Sequence, residues 1–419
     1  MKNAVFLFSG QGSQYVGMGE KLNNSFKTAA RIFEEANDIL EFDLRSICFN
    51  GSQDMLTKTE NTQPAILTVS VAQFKVYMEE FGHEPMYLAG HSLGEISALV
   101  CAGGIRFSDA LKIVRSRGVF MQAAVPEGIG AMAAVSGIDS SYIEQVCKGL
   151  TLEDEAAVIS NYNSPDQTVI SGHRAAVEKL SQILTGAGGR VIPLKVSAPF
   201  HSPLMEPASV RLNEELNKYT YYPMKYPVIS NVDALPYKNH NCIVENLSKQ
   251  VVMPVQWVLT MNYLQSRKVD TAIEFGPAEV LKKLTKKNID GINAFSFDNA
   301  ADIDRLKSEL HKSLPHKAAK RRLMERCLAI AVCTPNSNWN NDEYSKGVIE
   351  PYKSIQQLVD KLEREGIDPS FEQMQQALDM LRSVFATKRT SIDEQVERFN
   401  QLFDETGTRN IFETFKMPE

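Results

Sequence analysis

The chain has 419 residues and a formal net charge of −6, long enough for two or three domains with their own cores. Its 43% hydrophobic and 23% charged content is that of an ordinary globular protein, and the acidic balance leaves no basic excess to drive nucleic-acid binding. Six scattered cysteines without a C-x-x-C pair or a Cys/His cluster at ligand spacing read as reduced thiols in a cytoplasmic protein that holds no metal.

The N-terminal apolar run Ala4–Phe8 is too short for a signal peptide or a membrane span, so no membrane partner is expected. It reads as a buried strand that breaks into Ser9-Gly10-Gln11-Gly12-Ser13-Gln14. This is not a dinucleotide fingerprint, because Tyr15 stands where the third glycine is needed. A glycine turn that brings backbone amides close to a ligand fits better. Residues 28–82 read as mainly helical, with a helix starting at Thr62-Gln63-Pro64-Ala65, where proline occupies the first turn.

The short run Tyr87-Leu88-Ala89 then leads into Gly90-His91-Ser92-Leu93-Gly94-Glu95 and a helical continuation. Strand, glycine-flanked turn and helix form the setting of a nucleophile elbow, in which the serine hydroxyl projects at a helix N-terminus. The same letters also fit a plain βα turn whose serine caps the helix. The next helix, Asp109 to Gly118, carries Arg115 and Arg117.

From 128 to 197 the predicted order is β-α-β-β-α-β, with strands at Met132–Val135, Val158–Asn161, Thr168–Ser171 and Arg190–Leu194, the ferredoxin-like pattern. Ala198-Pro199-Phe200-His201-Ser202 returns the chain to the first domain. Strands at Pro227–Asn231 and Thr271–Phe275 follow, alternating with helices as in a largely parallel sheet. Beyond about 310 the apolar spacing is helical, as in Ile355-Leu358-Val359-Leu362 and Met374-Ala377-Leu378-Leu381. The expected fold class is thus α/β: a hydrolase-like core with a parallel sheet (1–127 and 198–310), an inserted ferredoxin-like subdomain (128–197) and a helical C-terminal extension (311–419).

Residues 1 to about 300 resemble the malonyl-CoA:acyl carrier protein transacylase family. The resemblance is carried by Gly10–Gln14, Thr62–Ala65, Gly90–Glu95, Arg117-Gly118, Asn161–Pro165, Ser197–Ser202, Gln250, Pro254–Trp257 and Glu274–Pro277, all in order. With its extension, the chain is most like the free-standing trans-acting acyltransferases of polyketide or hybrid peptide–polyketide synthesis. The resemblance implies Ser92 as nucleophile, His201 as base and the Gln250 backbone carbonyl as its orienter, a Ser-His dyad in place of a triad with an acidic member. It also implies an oxyanion hole from the amides of Leu93 and Gln11, and Arg117 as the partner of a malonyl carboxylate. Phe200 corresponds to the malonyl-selecting form of its motif, and Gln63 and His91 stand as candidates for the pocket wall.

No cofactor is expected; a coenzyme A thioester is the substrate, and the partner is an acyl carrier protein or the carrier domain of a megasynthase. Lys282, Lys283, Lys286 and Lys287, and the run Lys317–Arg322, are candidate docking faces for an acidic carrier. An acyl carrier protein editing hydrolase on the same fold is the alternative, against which Arg117 and Phe200 count. Ala278 departs from the family pattern, which has a second glycine after Gly276-Pro277.

Overall fold

Five parallel strands organise the first part of the chain in a computed structural model that describes residues 3–150, 155–194, 196, 198–313, 316–409, 411, 412 and 415–418. They are β1 (Ala4–Phe8), β2 (Tyr87–Gly90), β7 (Val228–Ile229), β8 (Thr271–Phe275) and β9 (Asn293–Ser296), in the order β7-β2-β1-β8-β9. The central strands β1 and β8 are buried at every position. Helices cover both faces of such a sheet, so its strands read as continuous apolar runs. Phe8 is in register with both Gly90 and Phe275. Three strands therefore end at one level, and the loops at Gly10, Ser92 and Gly276 emerge side by side at the carboxyl edge, where parallel α/β sheets build their sites.

The long helix Thr59–Glu80 begins three residues before the predicted start. Pro64 consequently lies inside it, and its missing N–H leaves the Glu60 carbonyl without the usual intrahelical donor. Arg115 Nη1 donates to that carbonyl at 3.0 Å, from the neighbouring helix Phe107–Ala123. The proline is tolerated because a side chain supplies the lost donor. The two helices approach closely at Gly118, where a Cβ would come within 2.8 Å of Glu60 Cα.

The inserted segment forms an antiparallel sheet of β3 (Gly130–Ser136), β4 (Ala157–Ser164), β5 (Gln167–His173) and β6 (Arg190–Pro193), ordered β4-β5-β3-β6. With helices Ser140–Leu150 and Arg174–Gly186 between strands, this is the expected ferredoxin-like topology. Ile143, Ile170, Val177, Leu180 and Leu184 form its own core. A register shift between Ile159 and Asn161 lets β4 bond Val255 of the larger sheet's connections, through Tyr162 N to Val255 O at 3.0 Å.

By internal packing the chain divides into two compact units, Lys2–Asp304 and Arg305–Glu419. The second unit is helical: His316–Cys333, Glu350–Glu365, Phe371–Lys388 and Ile392–Thr406 surround a core that includes Met324, Leu381, Phe385, Phe399 and Phe403. Ser370 and Gln373 close a capping box at the start of Phe371–Lys388. The predicted apolar faces at Ile355, Leu362 and Met374–Leu381 supply part of this core. Among the described residues no helix is long and apolar enough to cross a membrane.

Candidate active site

The turn after β2 is forced tight by its neighbours. A Cβ on Gly90 would fall 2.0 Å from Gly94, and one on Gly94 would fall 1.9 Å from the Phe8 carbonyl. Only glycine permits helix Leu93–Cys101 to start this close to the sheet. Ser92 is left with φ 52° and ψ −107°, a backbone conformation that costs an L-residue about 1–3 kcal/mol. Its surroundings hold it there: Ser92 N donates to Asn231 Oδ1 at 2.7 Å and Gly94 N to His91 O at 2.9 Å. His201 also has a positive φ, of 56°. Both side chains are thus aimed by strained backbone.

Ser92 Oγ lies 2.7 Å from His201 Nε2, and His201 Nδ1 lies 2.8 Å from the Gln250 carbonyl. A carbonyl can only accept, so Nδ1 carries the ring proton and Nε2 accepts from the serine hydroxyl. Burial, followed by the nearby Arg117 cation, pushes the imidazole down to about 3, so the ring is neutral near pH 7. The arrangement is a neutral base poised on a serine hydroxyl, the geometry of acyl transfer through an acyl-serine. Among the described residues the Leu93 N–H has no protein acceptor, while the amides on either side of it, Ser92 N and Gly94 N, are both bonded.

Arg117 is fully buried beside this pair. Its Nη1 donates to Gln63 Oε1 at 2.9 Å; its Nη2 donates to Gln250 Oε1 at 2.9 Å and to Ser92 Oγ at 3.2 Å. Its Nε is buried with no acceptor among the described residues. Burial lowers the guanidinium to about 10, which leaves it charged near neutrality, and the Glu95 carboxyl is the group that favours that charge. Glu95, likewise buried, is raised to about 7 by desolvation, partly offset by hydrogen bonds from Tyr237, Gln250 and the Asn231 amide.

A cleft of about 630 Å³ between the parallel sheet and the ferredoxin-like subdomain brings together Gln11, His91, Ser92, Arg117, Phe200 and His201. Gly10 lets the Gln11 loop reach this wall, because a Cβ there would meet the His91 carbonyl at 2.3 Å. Gln63 and Gln250 stand behind the wall and grip Arg117. His91 lines the cleft, with Nε2 2.9 Å from Asn163 Oδ1 and its ring against Trp257. Ser197, at the start of the Ala198–Ser202 motif, lies outside the described residues.

The lysine cluster separates. Lys282 is mostly buried and bound to Glu279 and Asp302, so it is not part of a free basic face. Lys283 and Lys287 border the cleft, and Lys287 pairs with Asp166 at 3.0 Å. In the run 317–322, the Lys317 side chain lies outside the described residues, and Arg321 donates to the Ile367 carbonyl. Asn231, Glu95 and Tyr237 also brace the site, and none of them is among the candidates the sequence offers. Polar residues at a strand end and in the first turn of an otherwise apolar helix were the available signal.

This fold, with a histidine-paired serine at its carboxyl edge, defines an acyltransferase: residues 5–322 match the Acyl transferase domain family, and the chain belongs to it. Within that class it falls with the malonyl CoA-acyl carrier protein transacylases. It is 38% identical over 396 residues to the one from Bacillus subtilis, an alignment that takes in 94% of this chain and 99% of that protein. To the one from Escherichia coli (strain K12) it is 44% identical over 297 residues, 70% of this chain and 95% of that protein. Among solved structures, the transacylase from Coxiella burnetii superposes with a TM-score of 0.72 at 38% identity, covering 74% of this chain and 98% of that one. A malonyl-transacylase solved in complex with its type II PKS acyl-carrier protein gives 0.71 at 39% identity, covering 73% and 100%.

Proposed function

We propose that this chain moves a malonyl group from coenzyme A to the phosphopantetheine thiol of a carrier protein, through an ester on Ser92. The carrying observation is that Arg117 Nη2 reaches the same oxygen, Ser92 Oγ, that His201 Nε2 accepts from. A nucleophile and an anion-binding fork at one point suit an acyl group with a free carboxylate.

In the first half-reaction Ser92 Oγ attacks the thioester carbonyl while its proton passes to His201 Nε2. The tetrahedral oxyanion is held by the amides of Leu93 and Gln11, each such donor stabilising the transition state by roughly 3 kcal/mol. The C–S bond then breaks, and coenzyme A leaves with the proton from His201. In the second half-reaction the carrier thiol gives its proton to His201, attacks the ester carbonyl, and Ser92 recovers its proton as the C–O bond breaks. The Gln250 carbonyl keeps the imidazole in the required tautomer throughout. Phe200 narrows the cleft against a branched acyl group, and His91 helps to shape its wall. No resident cofactor enters this scheme.

In this scheme residues 1–127 and 198–310 are the catalytic core, and 128–197 are the subdomain that forms the other wall of the cleft. Residues 311–419 are an extension that recognises a particular carrier or synthase, with the enzyme acting in trans in polyketide or lipopeptide synthesis. An alignment of 396 residues with the Bacillus subtilis relative is too long to fit within 1–310, so part of the extension is shared with that protein. Intact-mass analysis after brief exposure to malonyl-CoA, and again after adding a holo carrier protein, tests the scheme. A malonyl adduct that Ser92→Ala abolishes, and that moves to the carrier, is expected. Absence of the adduct, with release of free acid from an acyl-carrier, would replace the transacylase by the editing hydrolase.

A further inference from the structure

Behind the catalytic wall lies a polar chain whose donor and acceptor directions are all fixed. Gln250 is its centre. Its Nε2 donates to Ser92 O at 2.9 Å and to Glu95 Oε2 at 2.6 Å, and its Oε1 accepts from Arg117 Nη2 at 2.9 Å. Glu95 in turn accepts from the Asn231 amide at 3.0 Å on Oε2 and from the Tyr237 hydroxyl on Oε1. Asn231 completes the chain, with Nδ2 on the Gly90 carbonyl at 2.7 Å and Oδ1 on the Ser92 amide.

A glutamine side-chain amide has nearly the same shape in its two flipped orientations, so its neighbours decide which end points where. Apart from Gln250, the Asn231 amide and the Tyr237 hydroxyl both donate to Glu95, so its oxygens serve as acceptors on this side. Against that carboxylate and the Ser92 carbonyl, only the NH2 end of Gln250 can be satisfied. A flipped Gln250 would set oxygen against two acceptors and its NH2 against the guanidinium, each a buried mismatch.

We infer that Glu95 is a positioning residue that locks the Gln250 side-chain amide with Oε1 toward Arg117, and so sets the aim of the guanidinium at the acyl carboxylate. The inference rests on the transacylase reading above. It separates two tasks within Gln250: the backbone carbonyl serves His201, and the side chain serves Arg117. Glu95 acts on the second task, so its effect belongs to acyl-group selection.

The test compares loading of Ser92 from malonyl-CoA and from acetyl-CoA, which lacks the carboxylate, in the full chain. A wild-type protein that loads no malonyl removes the transacylase reading itself, before any variant is compared. Given loading, Glu95→Gln is expected to lower the malonyl:acetyl ratio of kcat/KM about tenfold or more, because a neutral amide holds Gln250 Nε2 less firmly than the carboxylate does and lets Oε1 drift from its aim at Arg117. Gln250→Ala, which keeps the backbone carbonyl, is expected to lower the ratio similarly, and Glu95→Gln added to it to change the ratio no further. A proportional fall for both substrates, or additive losses in the double variant, would overturn the inference, since a purely structural role predicts either. Should Glu95→Gln fail to fold, Tyr237→Phe carries the same comparison by removing one of the donors that hold the carboxylate. A folded Tyr237→Phe with an unchanged ratio would then sink the inference.

Discussion

Arg117 Nη2 lies 3.2 Å from Ser92 Oγ, so a buried cation shares the hydroxyl that His201 Nε2 approaches at 2.7 Å. The cation depresses the imidazole, and in the proposed function it also offers its fork to an incoming carboxylate. Removing it should separate the two effects. Arg117→Ala is expected to cut kcat/KM for malonyl-CoA by about a hundredfold or more, the scale for losing one member of a desolvated charge pair. Loading from acetyl-CoA should fall far less. Stopped-flow or intact-mass loading rates with both thioesters check it, and equal losses would place Arg117 in the scaffold.

The pH profile follows from the same burial. His201 is held down to about 3 in the folded protein, so the active neutral ring is lost only as pH falls through that value. The acid side of kcat/KM for Ser92 loading should therefore show no histidine limb between pH 6 and 7. Stability behaves differently. In the unfolded chain histidine takes up its proton near pH 6.5, so the folded state is increasingly disfavoured as pH falls from there towards 3. A limb near 6.5 that persists in Glu95→Gln would contradict the buried neutral base, since the Glu95 carboxyl is itself raised to about 7.

Glu274 gives a stability effect of opposite sense. It is the penultimate residue of β8, is buried, and accepts from the Leu281 and Lys282 amides at 2.9 and 2.8 Å. Desolvation raises it to about 8, above its ordinary value of 4.5. A raised carboxyl contributes stability below pH 4.5 that is lost as pH rises through 8. Glu274→Gln should therefore gain in Tm relative to wild type between pH 5 and pH 9. A difference that does not change with pH would show that the carboxyl is not raised.

Ala278 sits at φ 63°, in the left-handed region, where its amide donates to Asp298 Oδ2 at 2.8 Å. A Cβ there costs about 1–2 kcal/mol. Ala278→Gly is expected to raise unfolding stability by about 1 kcal/mol, read from the denaturant midpoint at constant m-value. No gain, or a loss, would mean that the turn carries little strain.

Gly118 links stability to the site. A side chain there would push helix Phe107–Ala123 off Glu60, carrying Arg117 with it. Gly118→Ala should cost about 1–3 kcal/mol of stability and lower malonyl loading more than acetyl loading. Paired thermal melts and loading rates separate this from simple unfolding.

Much of this molecule was legible in one dimension because its signals are local. Apolar runs and glycine turns announced β1, β2 and β8, and β-α-β-β-α-β spacing announced the inserted subdomain. Ser92, His201 and Arg117 stood in short motifs, since a sharp turn or a tight helix contact restricts residues that are adjacent in the chain. Tertiary structure decided what depends on partners far apart. Lys282 reads as a free surface cation, yet it is held by Glu279 and Asp302. Pro64 reads as a helix start, yet Arg115 across the helix pair lets the helix begin at Thr59. The polar chain through Asn231, Tyr237, Glu95 and Gln250 joins residues more than a hundred positions apart. No local pattern encodes it, because a buried hydrogen bond is specified by which donor meets which acceptor after folding, and only the packed sheet brings these together.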